Sequence, residues 1–127
     1  MGPELTGAWH GQYTYPGNAA PPVAFTAVLI DSGGPFTGTI EEVDALEGAL
    51  SASVDGRRAG SAVTFAKFYD RGSERFDIVL YKGALSPDNT EVEGVWRIPG
   101  VFSGRFLMIR SEAQAVAAER RESVEVR

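Results

Sequence analysis

Lys67 stands out among the residues that could do chemistry, because it alternates with aromatic side chains along one predicted strand. Phe65, Lys67 and Tyr69 occupy every second position, which places all three on the same face of an extended chain. If that face points inward, the Lys67 ammonium would lie beside an internal pocket and could bind a ligand carboxylate. The other interpretation is a bulge that turns Lys67 outward, or a side chain that reaches solvent at the rim.

Acid–base catalysis has little support in this sequence. In an enzyme, Tyr69 or Lys67 would transfer the proton, but no acid–base pair accompanies either residue. The chain has one histidine, His10, and no cysteine, and no serine lies in a Gly-x-Ser-x-Gly motif. We therefore predict no catalytic residues and a protein that is not an enzyme.

The other polar clusters do not match known metal sites. His10 has no cysteine or carboxylate at the spacing of metal ligands. The acidic run of Glu41, Glu42, Asp44 and Glu47 lacks the central glycine of a calcium-binding loop, and we interpret it as a solvated loop. The sequence predicts neither a metal nor a cofactor.

Composition and charge narrow the class of protein further. The 127 residues suffice for one domain with its own core, and a net charge of −5 leaves no basic footprint for nucleic acid. No apolar run approaches the roughly 18 residues of a membrane span. Since cysteines and a signal-peptide pattern are both absent from the sequence, we expect a cytoplasmic protein.

Alternation of apolar and polar residues predicts about eight short strands joined by turns. The predicted strands cover residues 5–15, 23–30, 36–43, 50–54, 60–69, 75–83, 90–98 and 101–110. Asp55-Gly56 is expected to form the tight hairpin turn between the fourth and fifth strands. Short links make successive strands antiparallel neighbours, so the predicted fold is an all-β, up-and-down barrel.

The chain divides into two parts near residue 110. Residues 1–110 form the predicted barrel domain, and residues 111–127 form a short C-terminal helix and tail. Ser111 and Gln114 have the spacing of a capping box, which predicts that the helix begins there. Val116 is its one large apolar side chain, so this helix would bury little surface.

Strand parity predicts how one end of the barrel is closed. Gly7 and Trp9 share the inward face of the first strand, and Arg110 ends the inward series of the last strand. Pairing of these two strands would place the Arg110 guanidinium over the Trp9 indole, a contact of about 0.5–2 kcal/mol. The alternative is a solvated Arg110 beside an ordinary core tryptophan.

The opening Leu5-Thr6-Gly7-Ala8-Trp9, the series of short strands and the final Arg110 resemble the calycin group of lipocalins, fatty-acid-binding proteins and avidins. Thr6-Gly7-Ala8-Trp9 is particularly similar to the avidin opening. The segments 94–96 and 104–110 are similar to small bacterial proteins without an assigned function, and avidin-like barrels of that kind are the nearest match. The resemblance implies a calycin-like barrel in which Gly7, Trp9 and Arg110 have structural roles.

The biotin site of avidins does not carry over to this chain. Gly11 stands where that family has an asparagine, and Tyr13 stands near the position of its following serine. The last predicted strand has no acidic residue between Ser103 and Arg110. The resemblance therefore does not extend to biotin binding.

The predicted inward face carries many of the thirteen aromatic residues of the chain. A barrel of about eight strands can hold one small ligand or be filled by its own side chains. We expect a barrel that binds a small apolar or amphipathic molecule through aromatic walls and one basic group. The predicted ligand-binding residues are Tyr13, Tyr15, Phe65, Lys67, Tyr69, Trp96 and Phe106.

The alternative is a filled barrel that acts as an oligomerisation or protein-interaction module. Apart from Thr26, the second strand is apolar on both faces, and an apolar exterior requires a cover. We therefore expect a homodimer through the second or the fifth strand. An internal cavity of about 300 Å³ or more would favour ligand binding, and a filled interior would oppose it.

Overall fold

The chain forms a closed barrel of eight antiparallel strands in sequence order, and the last strand pairs with the first. The structure, a computed structural model, describes residues 4–44, 48–70 and 78–111. The strands are β1 (Gly7–Thr14), β2 (Val23–Asp31), β3 (Pro35–Asp44), β4 (Gly48–Ala59), β5 (Ala62–Tyr69), β6 (Ile78–Leu85), β7 (Glu91–Ile98) and β8 (Phe102–Arg110), with a 3-10 turn at Pro16–Asn18. The predicted all-β, up-and-down barrel is confirmed.

Side chains alternate between the interior and the solvent along every strand. In β2 the odd-numbered residues from Val23 to Leu29 are buried, and the residues between them are exposed. In β5 the residues Val63, Phe65 and Lys67 are all buried, as parity predicted. The interior is thus built from one face of each strand.

Aromatic rings fill the middle of the barrel. Phe65 stacks on Tyr81 with 4.5 Å between ring centroids and 6° between planes. Phe36 and Phe106 meet the Phe65 ring edge-on, at 5.9 and 6.1 Å. Such ring pairs add about 0.5–1.5 kcal/mol each to the stabilisation from burying their apolar area. We call this layer of Phe36, Phe65, Tyr81 and Phe106 the aromatic floor.

The turn between β4 and β5 is not at Asp55-Gly56, and that prediction is wrong. β4 continues to Ala59, which pairs with Ala62, and the chain turns at Gly60, whose φ of +62° suits glycine. Gly56 lies inside β4. Only glycine fits at this position, because a Cβ there would approach the Phe65 Cβ and the Thr64 carbonyl oxygen to 2.5 Å. The local turn signal was overridden by the packing of Phe65 against the strand.

One end of the barrel, here called the sealed end, is closed as predicted. The Arg110 guanidinium carbon lies 4.5 Å from the centroid of the Trp9 ring. The Trp9 indole N–H donates to the Leu5 carbonyl oxygen at 2.9 Å, and both residues are fully buried. Gly7 has a φ of +134° and brings its backbone close to Arg110, since Nη1 would lie 3.1 Å from a Cβ at this position. Gly7, Trp9 and Arg110 therefore close this end.

The opposite end, here called the open end, lies where β1, β3, β5 and β7 finish. Residues 45–47, which join β3 to β4, and residues 71–77, which precede β6, lie outside the described part of the chain. The predicted C-terminal helix falls on residues 112–127, which also lie outside it, while β8 ends at Arg110 as expected. The candidate site is at this open end.

Candidate functional site

A buried ion pair lies between the aromatic floor and the open end of the barrel. The Lys67 ammonium donates to Glu42 Oε2 at 3.1 Å, and each side chain is 1% exposed. Lys67 lies on β5 and Glu42 on β3, so the pair joins two strands that are separated by β4. The prediction that a bulge or the rim would place Lys67 in solvent is wrong, because β5 keeps regular pairing on both sides of this residue.

Tyrosine side chains surround this ion pair. Tyr13 and Tyr69 donate hydrogen bonds to Glu42 Oε1 at 2.9 and 2.7 Å. The Lys67 ammonium lies 4.8, 4.6 and 5.3 Å from the ring centroids of Tyr13, Tyr69 and Tyr81. Three ring faces and one carboxylate thus replace the water that a lysine ammonium normally requires. We call Tyr13, Glu42, Lys67, Tyr69 and Tyr81 the tyrosine–lysine cluster.

Electrostatics keep the phenols of this cluster protonated. Burial, followed by the negative charge of Glu42, raises the pKa of Tyr13 and of Tyr69 well above the usual value. Burial also raises the pKa of Tyr81, and the neighbouring Tyr69 adds to this effect. A protonated phenol can donate to a carboxylate, so the hydrogen bonds from Tyr13 and Tyr69 to Glu42 are maintained at neutral pH.

Sequence reasoning missed Glu42, which was assigned to a solvated acidic loop. Glu42 is in β3 and is buried, whereas its neighbour Glu41 faces solvent. The signal was available, because Phe36, Gly38, Ile40 and Glu42 share strand parity. The run of acidic residues hid it, since carboxylates in series indicate a loop more often than a buried strand.

Only a small cavity remains beside the cluster. Its volume is about 20 Å³, which is the space of a single water molecule. It is lined by Tyr13, Tyr15, Lys67, Tyr69, Val79, Tyr81, Trp96 and Ile98. The volume of this cavity is far below the roughly 300 Å³ of a preformed ligand pocket. The described interior is therefore nearly filled.

The structure brings most of the predicted ligand-binding residues to this cavity. Tyr13, Tyr15, Lys67, Tyr69 and Trp96 line it, together with Val79, Tyr81 and Ile98, which were not predicted. Phe65 and Phe106 lie deeper, in the aromatic floor, and do not line it. Parity alone separates inward from outward residues, but it does not give depth along the barrel axis.

Two partly exposed rings cover the cavity from the solvent side. Tyr15 stacks on Phe102 with 5.9 Å between centroids, and both rings meet Trp96 edge-on, at 5.4 and 5.5 Å. The Trp96 indole N–H donates to the Thr14 carbonyl oxygen at 3.0 Å, which fixes that ring at the end of β1. Tyr15 and Phe102 are consequently more exposed to solvent than the Trp96 ring against which they pack.

The part of the chain that the structure describes shows no other arrangement suited to chemistry. His10 is exposed on the outer wall of β1, and no group of three or more His, Cys, Asp or Glu side chains among the described residues could hold a metal ion. Within the same ranges, no helix is long and apolar enough to cross a membrane. The tyrosine–lysine cluster is therefore the candidate site.

Comparison with known proteins does not identify a family for this chain. Neither a protein-family model nor a curated protein sequence matched the chain. The geometry of the site is therefore the basis for the function proposed below.

Proposed function

We propose that this protein is a binding barrel for a small amphipathic molecule, which enters at the open end and directs its polar group toward Lys67 and Glu42. The observation that carries the proposal is the buried Lys67–Glu42 pair inside a ring of tyrosines. Well-packed apolar residues would stabilise a barrel as well as, or better than, a buried ion pair. A hydrogen-bonded ionic cluster beside a cavity is typical of a functional site.

The small size of the cavity dictates how a ligand would enter. Because about 20 Å³ holds one water molecule, a larger ligand must take the space of Tyr15 and Phe102. These two rings are only partly buried; both contact Trp96 and each other, and Tyr15 also meets the Tyr13 ring edge-on at 5.8 Å. Their outward rotation would expose Trp96, Tyr69 and the cluster below, which together suit a flat apolar body with one polar group.

The proposed role is binding rather than catalysis. Glu42 accepts two hydrogen bonds on Oε1 and one on Oε2, so three of its about four acceptor sites already have donors. A general base needs a free acceptor within reach of the proton it removes. The resemblance to calycins, in which the barrel interior holds a ligand, also supports binding.

Binding can be tested with the fluorescent amphiphile 1-anilinonaphthalene-8-sulfonate. We expect a saturable increase in dye fluorescence with one dye per barrel, and loss of that increase in Ile98→Trp, whose larger ring fills the mouth of the cavity. Val28→Trp places the same ring on the exposed outer wall and is the matched control. Circular dichroism would verify that both variants fold.

Two results would overturn the proposal: absence of saturable binding, or binding that is equal in Ile98→Trp and the wild type. Native mass spectrometry of protein purified from its own source provides an independent measurement. An additional mass of small-molecule size that disappears on denaturation supports the proposal and identifies the ligand.

A second function is favoured by the filled interior. A barrel without a preformed pocket can act through its outer wall, as a self-association or protein-interaction module. Val28 and Ile30, on the outer face of β2, are 55% and 59% exposed, which is unusual for such side chains. If the dye and mass measurements find no ligand, this second function takes the place of the first.

A further inference from the structure

The outer wall formed by β6, β7 and β8 carries a pattern of charge that the ligand site does not explain. We call its outward residues the β7 face. Along β7 the outward positions run Glu91, Glu93, Val95 and Arg97, from the sealed end to the open end. Acidic residues therefore occupy one half of the strand and a basic residue the other, with an apolar residue between them.

The neighbouring strands extend this division. Val95 pairs with Lys82 on β6 and with Arg105 on β8, so a row of cations crosses the open-end half of the face. Glu93 pairs with Leu107 on β8, in the acidic half. Val95 and Leu107 are 42% and 38% exposed, which leaves an apolar centre between the two charged halves.

These charges have no ion-pair partner within the described part of the chain. The ion pairs there join Arg58 to Asp31 and Lys67 to Glu42, and neither pair lies on the β7 face. The whole chain has a net charge of −5, yet exposed cations gather on this side of the barrel. Lys82 and Arg97 also line a solvent-open hollow of about 750 Å³, which extends to Arg57 and Asp55 on β4.

We propose that the β7 face is the interface of a symmetric dimer, and that its occupant is a second copy of this chain. A two-fold axis that crosses the strands at the level of Gly94 would place Glu91 opposite Arg97 of the second copy, and Glu93 opposite Val95. Arg105 and Lys82 of the second copy would flank Glu93. Each ionic contact occurs twice, because a two-fold interface uses the same surface on both copies.

This geometry also excludes the other simple arrangement of the same two faces. An axis parallel to the strands would set Lys82 opposite Arg105 of the second copy, and like charges in contact cost several kcal/mol. On β2, one of the two strands through which a dimer was expected from the sequence, the exposed Val28 and Ile30 pair with Thr39 and Thr37 on β3. No charge pattern there selects a partner, whereas the β7 face is complementary to itself. The interface is independent of the ligand site, which opens at the barrel end.

The test is a charge exchange followed by sedimentation velocity. Wild-type protein should be a dimer at tens of micromolar. Arg97→Glu and Glu91→Arg should each raise the dimer dissociation constant about tenfold or more, since each brings like charges together at two places. The double variant Glu91→Arg/Arg97→Glu restores both pairs in reversed polarity and should dimerise like the wild type. An equimolar mixture of the two single variants should form the heterodimer.

Glu41→Arg is the matched control, because it makes the same charge reversal as Glu91→Arg at an exposed position of β3, on the opposite side of the barrel. It should leave the dissociation constant within about twofold of wild type. The proposal is overturned if the wild type is monomeric throughout, if Arg97→Glu has no effect, or if the double variant fails to recover. It is also overturned if Val28→Ser abolishes a dimer that Arg97→Glu leaves intact.

Discussion

Lys67 occupies its buried position only because Glu42 and the tyrosine rings replace its lost water. Taking an ammonium and a carboxylate out of water costs several kcal/mol per ion, and their attraction recovers this only with good geometry and further hydrogen bonds. Glu42 receives those bonds from Tyr13 and Tyr69. The two charges therefore depend on each other for the stability of the fold.

Removal of one charge should consequently be more harmful than removal of both. We expect Lys67→Met to lower the free energy of unfolding by about 3–5 kcal/mol, because it leaves the Glu42 carboxylate buried without its cation. The double variant Lys67→Met/Glu42→Gln should recover most of this loss, since glutamine still accepts from the two tyrosines. Urea denaturation at neutral pH measures both, and a single variant within about 1 kcal/mol of the wild type would contradict the mutual dependence.

Asp31 makes the stability of the sealed end sensitive to acid. Burial opposes its charge, but hydrogen bonds from Arg58 and from the N–H groups of Gly34, Leu5 and Gly33 prevail and lower its pKa from 3.8 to about 2. Arg58 Nε donates to Oδ2 at 2.7 Å. Because the folded-state pKa is depressed, the stabilisation is complete above the unfolded value and is lost as pH falls from about 4 toward 2.

We expect this carboxylate to contribute about 2 kcal/mol at neutral pH. Asp31→Asn should remove that contribution and flatten the decline in stability between about pH 4 and pH 2. Urea denaturation across this range measures the effect, and Asp55→Asn, at an exposed position of β4, is the control. An unchanged slope in Asp31→Asn would show that other carboxylates cause the acid sensitivity.

At the scale of the strand, the two glycines near the end of β4 have opposite tolerances. Gly60 lies in the turn with a φ of +62° and has no atom within 4 Å of the position that a Cβ would take, whereas a Cβ on Gly56 would meet the Thr64 carbonyl oxygen at 2.5 Å. Gly60→Asn should therefore change the free energy of unfolding by less than about 1 kcal/mol, because asparagine tolerates positive φ. Gly56→Asn should cost about 3 kcal/mol or more, since backbone must move to admit it. Thermal denaturation distinguishes them, and the reverse order would place the turn at Asp55-Gly56.

Strand identity and direction were largely predictable from the sequence, because alternating burial is a local signal that needs no knowledge of neighbours. The contact of Trp9 with Arg110 was predictable for the same reason, as parity holds at both ends of the barrel. Glu42 and Gly56 were not predicted correctly, because their environments come from other strands. A glutamate becomes tolerable inside only when Lys67 reaches it across β4, and a glycine becomes necessary only when Phe65 packs on it. The depth of each aromatic ring likewise depends on register, which single-strand patterns do not encode.

For the molecule as a whole, closure of the barrel depends on one side chain more than on any other described residue. Arg110 donates to the carbonyl oxygens of Asn89, Thr6 and Glu4 at 2.8, 2.7 and 2.6 Å, in addition to its contact with Trp9. It therefore joins two separate stretches of backbone at the sealed end, residues 4–6 and Asn89. A planar guanidinium suits this task, because its donors diverge in a fixed plane.

Lysine should not replace it. We expect Arg110→Lys to lower the free energy of unfolding by about 2 kcal/mol, since a single ammonium cannot reach all three carbonyls and stacks less well on indole. Arg105→Lys, exposed on the outer face of the same strand, should change it by less than about 0.5 kcal/mol. Chemical denaturation monitored by tryptophan fluorescence provides the comparison, and equal effects of the two substitutions would assign closure to the strand pairing alone.

The pairing of β8 with β1 has a consequence for the order of the chain. Seven of the eight strand pairings in this wall join strands that are consecutive in sequence, and the eighth joins β8 to β1, where Arg110 also binds the backbone of Glu4. Each strand of the closed barrel has two neighbours, so the topology does not require β1 to come first in the sequence. Residues 4 and 110 are in contact where the chain enters and leaves the barrel. A circular permutant that starts after Gly100 and joins residue 111 to residue 4 by a short linker would trace the same closed barrel from a different point. The difference in free energy of unfolding between this permutant and the parent chain would measure how much stability depends on the position of the chain ends, rather than on the closed set of strand pairings.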